Sequence, residues 1–235
     1  MEESNDDYLD NHYIHKSNWL RAAVLGANDG ILSTSSIAIG VAAASEFREP
    51  VILATLAGLV AGALSMAAGE YVSVSSQTDV ENADIAREKI ELEEMPELEL
   101  QRLAEIYEDR GLKKETALQV AIELTAHDAL GAHVRDELGI NEINQAHPLQ
   151  AALASGAAFT VGGVLPFLVT LFLPMETMEY TLYGLAILFL AILGALAAKT
   201  GGSSVSKAVF RVTFWGTIAM VLTAIVGHLF GVQLA

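Results

Sequence analysis

No cysteine occurs among the 235 residues, so disulfides and thiolate metal sites are excluded outright. Bases are scarce too. Thirteen lysines and arginines face twenty-nine acids, a formal charge of −16, and no basic run is present to follow a phosphate backbone; nucleic acid is not an expected partner. The first eighteen residues, MEESNDDYLDNHYIHKSN, lack the basic start and immediate apolar core of a signal peptide, so no cleaved leader is expected there. They read as an acidic flexible tail whose His12 and His15 are more simply solvated than metal-bound. Two catalytic spacings are also missing. The chain has neither His-Glu-x-x-His of zinc proteases nor the Glu-x-x-His of di-iron bundles. An enzyme such as a ferroxidase is therefore not expected, and no cofactor is implied.

What the chain does have is segregation. Its mean hydropathy is positive despite the large negative charge, a combination that a uniformly water-exposed domain does not show. Eighteen of the acids and seven of the bases fall within residues 79–147. The flanking sequence is nearly charge-free and contains apolar runs long enough for a hydrocarbon core of about 30 Å. Five spans are expected, over residues 19–44, 51–74, 149–173, 180–198 and 208–230. The fold class is thus all-α: a polytopic membrane protein with five transmembrane helices and a cytoplasmic helical acidic insertion between the second and third. The corresponding divisions are 1–18 for the tail, 19–78 for the first two spans, 79–147 for the insertion and 148–235 for the last three spans.

Within the spans, acids stand out because each costs about 2.5–3.5 kcal/mol on insertion scales at the centre of a bilayer. Asp29 sits in Asn28-Asp29-Gly30, well inside the first span. It either faces an ion path or merely caps a broken helix, and function is the default reading for an intramembrane acid. Met66 and Glu70 lie four apart on one face of the second span. Methionine alone is more often a gap-filler. Together with Asp29, however, the pair offers one soft and two hard donors, a set suited to Fe(II) or Mn(II) rather than Mg²⁺ or Ca²⁺. Spans three to five hold no acid in their interiors. Gly26 and Gly30, then Gly58 and Gly62, have the small-xxx-small spacing that admits close helix approach. Gly162, Gly163 and Pro166 point to a kinked or closely packed third span.

From Gly58 to Glu91 neither a proline nor a late glycine interrupts the chain. One continuous helix is therefore expected to leave the bilayer and enter the insertion, with Glu70 and Glu88 roughly 27 Å apart at about 1.5 Å per residue. Its polar half carries Glu81, Asp84, Glu88 and Glu91 as a carboxylate stripe. Like charges at this spacing repel unless a cation neutralises them. A second helix is expected from Pro96 to about Arg110, with Glu97, Glu105 and Glu108 sharing a face that omits Glu99. A third should run over 113–126, and a fourth from about Asp128 to Gly139, with His133 and Glu137 on one face. Lys16, Arg21, Lys199, Lys207 and Arg211 fall on one side of the bilayer and Arg48 on the other. The N-terminus and acidic insertion are accordingly expected to be cytoplasmic.

Three stretches carry a resemblance: WLRAAVLGANDGILST from Trp19, GLVAGALSMAAGEYVSVSSQ from Gly58, and PLQAALAS from Pro148. Together they resemble the vacuolar iron transporter family over nearly the whole chain from Trp19 onward, in a prokaryotic-type form. The resemblance implies a homodimer of five-helix protomers in the lipid bilayer that exchanges cytosolic Fe(II), and often Mn(II) and other divalent transition-metal ions, for protons. It implies an ion path lined by Asp29 and Met66, and metal-gathering glutamates at Glu88, Glu91, Glu99 and Glu137. The compact loops lean toward a prokaryotic plasma membrane. Two positions depart from the family pattern. Arg102 replaces a second glutamate one turn after Glu99, and His133 and Val134 stand where plant relatives have methionines. A membrane-anchored metal buffer or sensor without transport is the alternative reading. It explains the carboxylate stripe but gives Asp29, Met66 and Glu70 no purpose.

Overall fold

A computed structural model describes residues 17–140 and 147–231, and every described element is a helix. They are α1 (Ser17–Ala44), α2 (Arg48–Glu94), α3 (Pro96–Asp109), α4 (Lys114–Asp136), α5 (Pro148–Phe172), α6 (Met175–Thr200) and α7 (Val205–Gly231). Five of these are long and apolar enough to cross a membrane: α5, α6, α7, the Ala23–Ala44 part of α1, and α2. The all-α fold with five membrane-length helices is as the sequence predicts. His12, His15 and Lys16 lie outside the described residues, as do residues 141–146.

The chain divides into two compact units, Met1–Tyr71 with Leu149–Ala235, and Val72–Pro148. In the first, α1 is the hub. It packs against α6 and α7, which also pack on each other, and Ile31, Ala38 and Ile39 join Val169, Met178, Leu182, Leu190 and Met220 in one buried cluster. Glycines set how near α5 comes to α1. A methyl group on Gly26 would stand 2.8 Å from the Ser155 carbonyl oxygen, while Gly30 abuts the Phe159 carbonyl and Gly162 the Ala27 carbonyl. Here two backbones touch, as the small-residue spacing requires. In α2, by contrast, Gly58 receives the Ile37 side chain and Gly62 the Phe159 ring. Arg48, the first residue of α2, donates to the Leu171 carbonyl at 3.1 Å and the Leu173 carbonyl at 2.5 Å. This satisfies backbone oxygens at the end of α5 that the helix itself leaves open.

The outward faces are apolar. Leu53, Leu64, Phe172, Tyr180, Phe210 and Trp215 are all exposed. Large apolar side chains exposed in such number call for covering, and hydrocarbon can cover them because each helix satisfies its own backbone.

Two element boundaries differ from expectation. α6 begins at Met175 rather than 180, because Pro174 supplies an extended entry and Glu176 sits in the first turn, where a negative charge is favoured by the helix dipole. The expected linker from Lys199 to Arg211 contracts to residues 201–204. Gly202 at φ +66° lets the Ser203 N–H reach the Ala198 carbonyl at 2.8 Å and close α6 at once.

Candidate metal centre

The acidic unit is built from the polar end of α2 with α3 and α4. Proline at the first position starts α3. Its stop is glycine-dependent: Gly111 at φ +98° allows the Leu112 N–H to bond the Tyr107 carbonyl and its own N–H to bond that of Glu108. α4 contains a break at Asp128, whose φ/ψ of −160°/90° is extended. The Asp128 carboxylate accepts the Gly131 N–H at 2.9 Å, capping the helical segment that follows. The two helices expected here are the two helical segments of α4 on either side of Asp128. A small core of Leu103, Ala104, Ala121 and Ala132 holds α3 to α4.

Glu99 lies one turn before Leu103 and shares its buried face, whereas Glu97 and Glu105 are exposed. The helical-face expectation for α3 therefore picked the solvated side, and the position matched by resemblance is the inward one. Glu88 from α2, Glu99 from α3, and His133 with Glu137 at the end of α4 bring one donor atom each within 4.8 Å of one another. His133 Nδ1 stands 2.9 Å from Glu88 Oε1, 3.0 Å from Glu137 Oε2 and 3.9 Å from Glu99 Oε2. His133 is 0% exposed, Glu88 2% and Glu99 5%. A single ring proton on Nδ1 cannot serve three carboxylates, and Glu137 is the aligned acceptor. Glu88 Oε1 and His133 Nε2 are buried without a hydrogen-bond partner, each a cost of about 1–3 kcal/mol. Burial pushes the Glu88 carboxyl up, Glu137 and Glu99 push the same way, and His133 only partly opposes them. Such a group of crowded, under-satisfied donors is what a divalent cation would complete.

Charged neighbours fix the rim. Arg102 on α3 pairs with Glu137 Oε1. Asp136 accepts from Arg110 and Arg135, both at 2.8 Å, and from the Tyr107 hydroxyl at 2.9 Å. Burial raises the Asp136 carboxyl, but these donors outweigh it and hold it at about 2 against an ordinary 3.8. A carboxyl depressed on folding stabilises above its unfolded value, and that contribution disappears as pH falls through the folded one. The α3–α4 contact should therefore loosen between pH 3.8 and about 2. Tyrosine fluorescence of the protein followed through that window should show the change, and Asp136→Asn should remove it.

Glu91 is not drawn into the group. It pairs instead with Arg87 at 3.6 Å and stays one-third exposed. His133 is the member that the sequence reading left out as a ligand. Its signal was the four-residue spacing to Glu137, but only the packing of α4 shows that this face is buried.

In the membrane unit, Asp29 is half-buried and accepts the Ser33 hydroxyl at 2.5 Å. Thr34, Ser35 and Ser36 follow on α1 with buried hydroxyls that have no partner. Met66 and Glu70 are half-buried on α2. Among the described residues, neither Asp29 nor Glu70 belongs to a group of three or more histidine, aspartate and glutamate donors.

The sequence profile of the VIT family matches residues 20–228. A protein of Acanthamoeba castellanii named vacuolar iron transporter is 46% identical over 212 residues, covering 90% of this chain and 78% of that protein. Vacuolar iron transporter homolog 1 of rice (Oryza sativa subsp. japonica) is 35% identical over 223 residues, 94% of this chain and 78% of its own length. Vacuolar iron transporter homolog 2.1 of Arabidopsis thaliana is 34% identical over 212 residues, with 90% and 81% covered. Five apolar helices and this kinship make the chain an integral multi-pass membrane protein. The match runs through the Asp29 span, the acidic unit and all the later spans, and the chain belongs to the VIT family.

Proposed function

We propose that this protein is a proton-coupled antiporter that moves Fe(II), and also Mn(II) and related divalent transition ions, out of the cytoplasm as a homodimer. The carrying observation is the four-donor group of Glu88, Glu99, His133 and Glu137. It supports a role for the acidic unit in collecting ions from the cytoplasm and raising their local concentration. The ion then passes to Asp29, Met66 and Glu70. Stripping water from a divalent cation is costly, so charged protein oxygens must replace the water. A carboxylate oxygen that binds the ion cannot keep a proton as well. Metal and proton thus compete for one set of oxygens, and their opposed flows are coupled.

The charge distribution supports a cytoplasmic N-terminus and acidic unit, since that orientation leaves only Arg48 among the flanking bases outside, and the compact loops favour a prokaryotic plasma membrane. Metal-by-metal uptake into proteoliposomes with an internal pH dye tests the whole reading. Ion entry with matched proton exit supports it. Binding without entry would leave a membrane-anchored buffer or sensor. The two stripe glutamates should behave differently in calorimetry: Glu88→Ala lowers the affinity of the acidic unit for Mn(II) by more than about tenfold, and Glu91→Ala changes it by less than about threefold. Equal effects of the two would contradict the geometry.

A further inference from the structure

The acidic centre carries a charge count of its own. Glu88, Glu99 and Glu137 contribute three negative charges, and the Arg102 guanidinium on Glu137 returns one positive. Of the acids beside the group, Glu91 pairs with Arg87 and Asp136 with Arg110 and Arg135, while Asp84, one turn before Glu88 on α2, is outside the four-donor set. Within the four-donor group and its Arg102 partner two negative charges are left, which one divalent cation neutralises. A second would leave two positive charges among side chains of which three are nearly inaccessible, a costly arrangement. Distances agree. Ligands on opposite sides of one transition ion are separated by about 4.2 Å, close to the 4.8 Å within which all four donors fall. Two ions about 3.5–4 Å apart would each need outer ligands beyond that span.

The donor identities restrict the ion further. Besides the carboxylates, the group offers Nδ1 of a fully buried imidazole, which faces all three carboxylates and in this structure bonds only within the group, to Glu137. A nitrogen ligand suits d-block ions and is foreign to the oxygen shells of Mg²⁺ and Ca²⁺. Arg102 is 61% exposed and holds one Glu137 oxygen from outside, leaving the other to face His133. It is a positioning residue.

We propose that the acidic unit holds a single d-block dication through His133 Nδ1 and the carboxylates of Glu88, Glu99 and Glu137, and that Arg102 stands as a fixed cation where a second ion would otherwise be needed. This rests on the ion-collecting role given above and adds to it a stoichiometry, a nitrogen ligand and a residue that limits loading. The test uses the purified full chain in detergent with Mn(II) as probe, in excess Mg²⁺ to occupy surface acids. Subtracting the Mn(II) retained by Glu88→Gln from that of the unmodified protein isolates this centre from the membrane donors. The expected difference is one ion per chain, rising to two in Arg102→Glu, where a fourth carboxylate replaces the cation. Electron spin echo of the bound Mn(II) should show coupling to a directly bonded nitrogen, absent in His133→Ala. A difference of two ions in the unmodified protein, no gain in Arg102→Glu, or no nitrogen coupling overturns the proposal. Uptake into vesicles judges the collecting and transport reading separately. A chain that transports yet loads two ions here refutes only the single-ion centre.

Discussion

Asp29→Ala abolishes metal-driven proton movement in proteoliposomes. Asp29 is the acid within α1, it is half-buried beside Ser33, and α5, α6 and α7 bring no acid at comparable depth. Removing one partner of a buried charge interaction costs about 3–5 kcal/mol, more than a hundredfold in affinity. Flux should therefore fall to that of protein-free vesicles. Asp29→Asn keeps the shape and still accepts the Ser33 hydroxyl, but it can neither release a proton nor oppose a cation's charge, and it should be equally inactive. Ser33→Ala should retain part of the flux, since it removes a neutral partner and leaves the charge. Mn(II) binding at Glu88, Glu99, His133 and Glu137 should survive all three changes, because those donors belong to the other unit. Unchanged coupling in Asp29→Ala would refute the assignment of this residue.

How much of this could be read in advance depends on whether the information is local. The spans were legible because apolar runs of bilayer length are a one-dimensional signal. The continuity of α2 from Gly58 to Glu91 was legible because no proline interrupts that stretch; Pro50 falls in the first turn of the helix, where it is tolerated. Local chemistry also gave Pro96 as the start of α3 and the break at Asp128. α6 begins five residues before the expected span because Glu176 and Glu179 interrupt the apolar run without interrupting the helix. Glu99 shows the limit of periodicity. The face with more glutamates on α3 is the solvated one, and the lone inward glutamate is fixed by Leu103 packing against α4. His133 was beyond reach for the same reason. Its burial comes from how α2, α3 and α4 close around it, and no spacing within α4 encodes that. Arg102 looked like a loss of one ligand, yet in the folded unit it is a charge placed against Glu137.

The crossing of α1 and α5 gives the other large effect. A methyl group at Gly30 would overlap the Phe159 carbonyl oxygen, and one at Gly162 would overlap that of Ala27. Neither neighbour is a side chain that could turn aside, so the two helices must separate. Overpacking of this sort costs about 1–3 kcal/mol where side chains can adjust, and backbone contact should place Gly30→Ala and Gly162→Ala at or above the top of that range. Gly184→Ala is the internal control. It lies within α6 with nothing within 4 Å of the added methyl, and alanine is the better helix former. In thermal denaturation of the detergent-solubilised protein, Gly184→Ala should therefore match or exceed the unmodified chain while the other two melt several degrees lower. The paired substitution should be less than additive, since one displacement relieves both clashes. Flux should fall with Gly30→Ala as well, because parting α1 from α5 moves Asp29, whereas Mn(II) binding in the acidic unit should not change. Full stability in both alanine variants would mean that the two backbones do not meet at this crossing.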